Sequence, residues 1–126
     1  MVEPLEEPFK KLKINYNQQK NLIFENLAIH PIDGKRKIYK IRENSDPMPD
    51  WYDQTASFKY DAMLELEYAI PNVENYIIQE EVECATVTSL IKKHEIQKID
   101  LVYIDVEGFD FEVIKLLDFN MNMKLI

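Results

Sequence analysis

The chain predicts an α/β fold in which strands and helices alternate, and three observations predict it. Segments of helical period and segments of strand character follow one another along the sequence. The run from Leu101 to Ile104 is apolar and stops abruptly on Asp105, as a strand covered on both faces of a parallel sheet does. A hydrophobic fraction of 46% with 30% charged residues belongs to a folded globular chain rather than a disordered one. With 126 residues there is room for at most one domain, and a small one.

Met1 to Glu3 read as the end of a strand feeding a helix. Leu5, Phe9, Leu12 and Tyr16 then form one apolar stripe, with lysines on the other face, which predicts an amphipathic helix. Pro8 falls early enough for its missing N–H to be tolerated. Asn21 to His30 supplies a strand through Leu22, Ile23, Phe24, Leu27, Ala28 and Ile29, stopped by Pro31. Asp33-Gly34 is a hairpin-type turn, and Lys35 to Arg42 alternates as an exposed or edge strand.

Glu43 to Thr55 reads as loop and carries Trp51, the one tryptophan. Ser57 to Ile70 reads as a short helix with Phe58, Met63, Leu66 and Ala69 or Ile70 in partial register, broken by Pro71-Asn72. Tyr76 to Ala85 alternates through Ile78, Glu80, Val82 and Cys84, a strand with one polar face. Thr86 caps a helix running to His94 with Leu90 and Ile91 inward. The strand ending at Asp105 follows, then a helix from Phe109 to Leu117, and Met123 to Ile126 opens another apolar stretch.

Composition excludes several function classes. A net charge of -8 leaves no basic stripe for a phosphate backbone, so no nucleic-acid partner is expected. The clusters Lys10 to Lys13 and Lys35 to Lys37 read as solvated faces. No apolar run approaches the ~18 residues that span a bilayer, and the acidic N-terminus has no signal-peptide core. No membrane partner and a cytoplasmic location are therefore expected. Cys84, the single cysteine, cannot form an intrachain disulfide, and no cysteine and histidine set has zinc spacing. The two glycines, Gly34 and Gly108, form no Gly-x-Gly loop, which a nucleotide-binding α/β fold normally needs where backbone approaches its ligand.

Together the words Val2-Glu3-Pro4, Phe9 with Leu12 and Asn15-Tyr16, Asn26-Leu27-Ala28-Ile29, Trp51, Ser57-Phe58, Cys84 to Leu90, and Ile99 to Gly108 resemble the FkbM family of S-adenosylmethionine-dependent methyltransferases. The last is the most specific, since the family's hallmark is similar to Ile-Asp-x-x-x-Ile-Asp-x-Glu-Gly followed by a helix. The resemblance implies a class I (Rossmann-like) methyltransferase, a doubly wound sheet. On that map residues 1–126 run from the end of the second strand into the fifth. The glycine-rich first-strand loop and the last strands then lie outside them. The expectation that follows is a partial domain, inactive alone, that aggregates or pairs with a complementary chain or a second copy of itself.

The resemblance also assigns roles. Glu3 matches the acid closing the second strand, which accepts hydrogen bonds from the ribose of S-adenosylmethionine; the alternative is an acid favoured at a helix N-terminus. Ala28 and Ile29 match the end of the third strand beside adenine, or are plain core. Asp105 matches the acid ending the fourth strand near the transferred methyl group, as base, orienting acceptor or cation ligand, and Glu107 shares any of these roles. Otherwise Asp105 caps the next helix and Glu107 is solvated. Trp51 and Ser57 match a substrate-side segment, or are a loop serine and a partly buried tryptophan. Gly108 permits a conformation or a close approach that a side chain forbids. His30 and His94 lie on no family motif and read as structural or exposed, and Cys84 as a small buried hydrophobe.

The sequence departs from the pattern at Tyr103, where a basic residue is usual, and at Thr86-Val87-Thr88, which lacks an acid; both bear on the acceptor more than on the fold. The reading is an O-methyltransferase acting on a hydroxyl of a sugar, polyketide or related small molecule. Its rival is a non-catalytic α/β interaction module of the same ancestry.

Overall fold

The computed structural model describes residues 1–45, 48–106 and 108–117. Helix α1 (Glu6–Asn15) forms where the stripe predicts it, with Glu6 and Glu7 in its first turn and Lys13 in its last, which suits the helix dipole. Leu5, just ahead of it, is 2% exposed and sinks into the core, whereas Phe9 and Leu12 are only half-buried. Ahead of the helix, Val2 forms a parallel bridge with Glu25. The Glu3 N–H donates to the Glu25 carbonyl at 3.0 Å, and the Glu25 N–H to that of Met1 at 2.9 Å.

Among the described residues four strands make the sheet: β1 (Ala28–Ile29), β2 (Gly34–Ile41), β3 (Ala56–Ser57) and β4 (Ile77–Ala85), in the order β1-β4-β2-β3. The pairing of β1 with β4 is parallel; the pairings of β2 with β4 and with β3 are antiparallel. The alternation over Tyr76 to Ala85 is thus realised as β4. Helix α2 (Tyr60–Leu64), continued by a 3-10 turn over Glu65–Tyr68, occupies the middle of the short helix predicted from Ser57 to Ile70, whose first residue is instead in β3. Helix α3 (Val87–Lys93) starts at the predicted cap, the Thr86 hydroxyl accepting the Ser89 N–H at 3.0 Å. Helix α4 (Asp110–Lys115) follows Gly108.

Antiparallel register places Ile38 opposite Glu80 and Ile41 opposite Ile77, so the two faces sort by residue parity. Ile38, Val82 and Cys84 pack with Leu5 and Ala28 on one face, flanked by Ala56 and Phe58. On the other, Ile41 packs with Met63, Ile70 and Val73, flanked by Tyr39, Tyr76 and Ile77. Toward the opposite end of that second face, Lys35 pairs with Glu81 and Glu83 in solvent.

Several expectations are corrected. The turn at Asp33-Gly34 does not join two paired strands, because β4 lies between β1 and β2. Gly34 instead begins β2 at φ +113, opposite Cys84. Nor is β2 an edge strand: it is inner, and its Lys40 is 8% exposed. Asn21 to His30 keeps only β1 and the bridge at Glu25. The run from Leu101 to Ile104 forms no buried strand: Val102 makes an isolated bridge, while Leu101 and Tyr103 are 52% and 74% exposed. A strand exists through its ladder, and among the described residues no neighbouring strand is laid against these four. The architecture is α/β, with one parallel and two antiparallel pairings. Met123 to Ile126 and Glu107 lie outside the described residues.

Candidate functional site

Glu3 follows the parallel bridge and precedes α1. The Asn26 side-chain amide donates to the carbonyls of Glu3 and Pro4 at 2.9 and 3.0 Å, fixing this junction to the segment before β1. One Glu3 carboxylate oxygen accepts the Leu5 N–H at 2.8 Å. Burial pushes its carboxyl above the ordinary glutamate value, and the Leu5 N–H pulls it back. Leu5 is the residue just ahead of α1, so this bond orders the chain before the helix. The second oxygen has no hydrogen bond among the described residues, which leaves an acceptor at the end of this extended segment.

Ala28 and Ile29 are β1 itself. Ala28 is core, opposite Cys84, and half-buried Ile29 is opposite Ala85. The next residue, His30, continues the ladder by donating its N–H to the Ala85 carbonyl at 3.1 Å. Ser57 lies in β3 opposite Tyr39, and its hydroxyl accepts the Lys59 N–H at 3.1 Å, turning the chain toward α2. Trp51 is exposed on the loop before β3, where its carbonyl accepts the Gln54 N–H.

An aromatic row gathers segments far apart in sequence. The His30 ring stands edge-on to Phe58 with centroids 5.3 Å apart, and Phe58 lies 5.6 Å from Phe109. It joins the residue after β1, the residue after β3 and the residue before α4. The sequence reading gave Phe58 a place in a helix and in a family word and started a helix at Phe109, but assigned neither a role in the site. Their signal was position, each directly following a residue that reading had singled out, Ser57 and Gly108.

Asp105 is exposed and has no hydrogen bond among the described residues. It does not cap α4. The turn is closed by Asp110, whose carboxylate accepts the N–H of Val106 at 3.2 Å and of Gly108 at 3.1 Å. Gly108 has φ +87, with nothing within 4 Å of where a Cβ would stand, so it is conformation and not crowding that calls for glycine. Another residue the sequence reading missed is Asp33. It accepts the Thr86 N–H and the Ser89 hydroxyl, both at 2.6 Å, which holds its carboxyl below the ordinary aspartate value.

Two clefts lie elsewhere. One of about 190 Å³ is lined by Pro4, Asn26, Lys35 and the Glu80–Glu83 stretch. The other, about 270 Å³, lies between α1 and the end of β2, lined by Lys11, Lys40, Glu43 and Asp53. Neither is lined by Glu3, Ile29, Ser57 or Asp105. The larger one holds the ion pair of Lys11 with Asp53, whose Oδ1 is buried with no partner among the described residues. No group of three or more His, Cys, Asp or Glu side chains that could hold a metal ion occurs among the described residues, and no described helix is long and apolar enough to cross a membrane.

A family model described as the methyltransferase FkbM domain matches residues 1–125. No curated protein and no solved structure matches the chain.

Proposed function

The chain belongs to the FkbM methyltransferase domain family, and from that premise we propose that it serves S-adenosylmethionine-dependent O-methylation of a hydroxyl on a sugar, polyketide or related small molecule. The observation that carries the reading is the extent of the match, which takes in both Val2-Glu3-Pro4 and the stretch from Ile99 to Gly108.

The methyl donor supplies an electrophilic carbon on a sulfonium, and the reaction leaves a neutral thioether. Glu3 suits a ribose diol: it is half-buried, and one of its oxygens has no hydrogen bond among the described residues. Ala28 and Ile29 provide an apolar strand end against which an adenine can lie. Asp105 accepts the acceptor's hydroxyl proton as the new oxygen–carbon bond forms and the sulfur–carbon bond breaks. Glu107 lies two residues on and shares that role. Trp51 and Ser57 stand on the segments leading to Phe58, on the acceptor side.

The test measures binding of S-adenosylhomocysteine and transfer of labelled methyl from S-adenosylmethionine to a panel of hydroxyl compounds. Glu3→Gln is expected to weaken binding by about tenfold, the scale of one hydrogen bond to a charged group. Asp105→Asn is expected to abolish turnover while binding persists. Because residues 1–126 are expected to be inactive alone, these assays, like the kinetics below, use the complete protein that contains them, and its failure to bind either nucleoside overturns the reading.

A second reading, a non-catalytic α/β interaction module of the same ancestry, is favoured by the exposure of Asp105. Retained nucleoside binding without transfer to any acceptor supports it. A turnover lost in Asp105→Asn excludes it.

A further inference from the structure

We propose that Asp110 is a positioning residue for the methyl-transfer turn, holding the amides of Val106 and Gly108 so that the neighbouring Asp105 carboxylate stays exposed. The proposal rests on the methyltransferase reading. Both Asp110 oxygens are spent on the turn: Oδ1 accepts from Val106 at 3.2 Å and Oδ2 from Gly108 at 3.1 Å. One carboxylate thus accepts from two backbone amides two residues apart in sequence.

The clamp is itself anchored. The Phe109 N–H donates to the Val106 carbonyl at 3.2 Å, and the Phe109 carbonyl accepts the Val113 N–H at 3.1 Å. Val113 is 5% exposed, and the Phe109 ring meets Phe58. Asp110 is thereby fixed to the sheet and can impose a conformation on a turn that includes a residue at φ +87.

The chemistry calls for a carboxylate in particular. Two N–H groups need two acceptors, and a carboxylate offers two, whereas an amide offers one acceptor and sets its NH₂ against the second donor. Asp105 keeps its acceptor capacity for a substrate hydroxyl.

The experiment pairs amide hydrogen exchange, read residue by residue by NMR, with methyl-transfer kinetics. In Asp110→Asn the protection of the Val106 and Gly108 amides is expected to fall by about tenfold. Protection in β2 and β4 stays unchanged, which shows that the variant is folded. The kcat falls by up to about a hundredfold, the scale of a misplaced reacting group, at nearly constant KM for the methyl donor. Asp110→Glu, which keeps two acceptors, recovers part of both losses. Unchanged protection in Asp110→Asn overturns the clamp, and lost protection with intact kcat overturns the positioning role. A wild-type protein with protected amides and no methyl transfer removes the methyltransferase reading, and the positioning role with it, while the clamp stands.

Discussion

Replacing Lys40 by Met keeps an unbranched apolar stem but removes an ammonium from a nearly dry place. Lys40 is 8% exposed, donates to Glu43 at 2.8 Å and pairs also with Glu80. A fully buried pair that loses one partner costs about 3–5 kcal/mol, because the remaining charge is stranded. Here the Glu80 and Glu43 side chains are 30% and 49% exposed, so both can recover water. That relief brings the expected loss down to about 2 kcal/mol. In urea, with a slope of about 2 kcal/mol per molar, the unfolding midpoint should fall by about 1 M. Glu43→Gln, at the more exposed partner, should cost less than about 1 kcal/mol.

The pH dependence gives a second check. Burial pulls the Lys40 ammonium down, but the Glu43 and Glu80 carboxylates push harder, and its value ends above the ordinary lysine value. A group raised on folding contributes fully below its unfolded value, about 10.4, and loses that contribution as pH climbs through the folded one. The deficit of Lys40→Met should therefore be flat from neutral pH to about pH 10 and shrink above it. If Lys40→Met matches or exceeds the wild type at pH 7, desolvation outweighs the ion pairs and this account of β2 is wrong.

Two further outcomes follow from other contacts. The Lys93 ammonium bonded to Glu25, helped by His94, holds the Glu25 carboxyl below the ordinary glutamate value. Its stabilisation is present above the unfolded value and lost as pH falls through the folded one, so in urea titrations Glu25→Gln should be weaker than wild type near pH 6 and converge with it in acid. Gly108→Ala should cost about 1 kcal/mol in the same assay, through its positive φ alone, with Gly108→Asn milder. Equal stability of all three proteins would mean that the turn does not need this conformation.

Some of the local structure was legible because it depends on local order. The helix of α1 and the need for a glycine at 108 are readable from neighbours a few residues apart, and α1 forms and Gly108 has φ +87, although Tyr16 of the stripe falls outside the helix and is 41% exposed. Asp110 was not legible as the clamp. An acid in the first turn of a helix is commonplace, and only the geometry showed both its oxygens turned back onto Val106 and Gly108. The aromatic row was equally hidden, since His30, Phe58 and Phe109 become neighbours only when three separate segments converge.

Period and capping chemistry act over one or two turns of chain, and so α1, β4 and the Thr86 cap could be read directly from the residues. Strand partnership is a non-local choice. Lys35 to Arg42 resembled an edge because lysines alternate there, and only the folded molecule supplied Glu80 to neutralise Lys40 and let β2 lie inside the sheet. Leu101 to Ile104 had the composition of a covered strand, but composition cannot provide the adjacent backbone that a ladder requires, and among the described residues no strand lies beside it. A chain determines what each segment is able to pair with; which pairings win depends on burial and charge compensation summed over the whole fold.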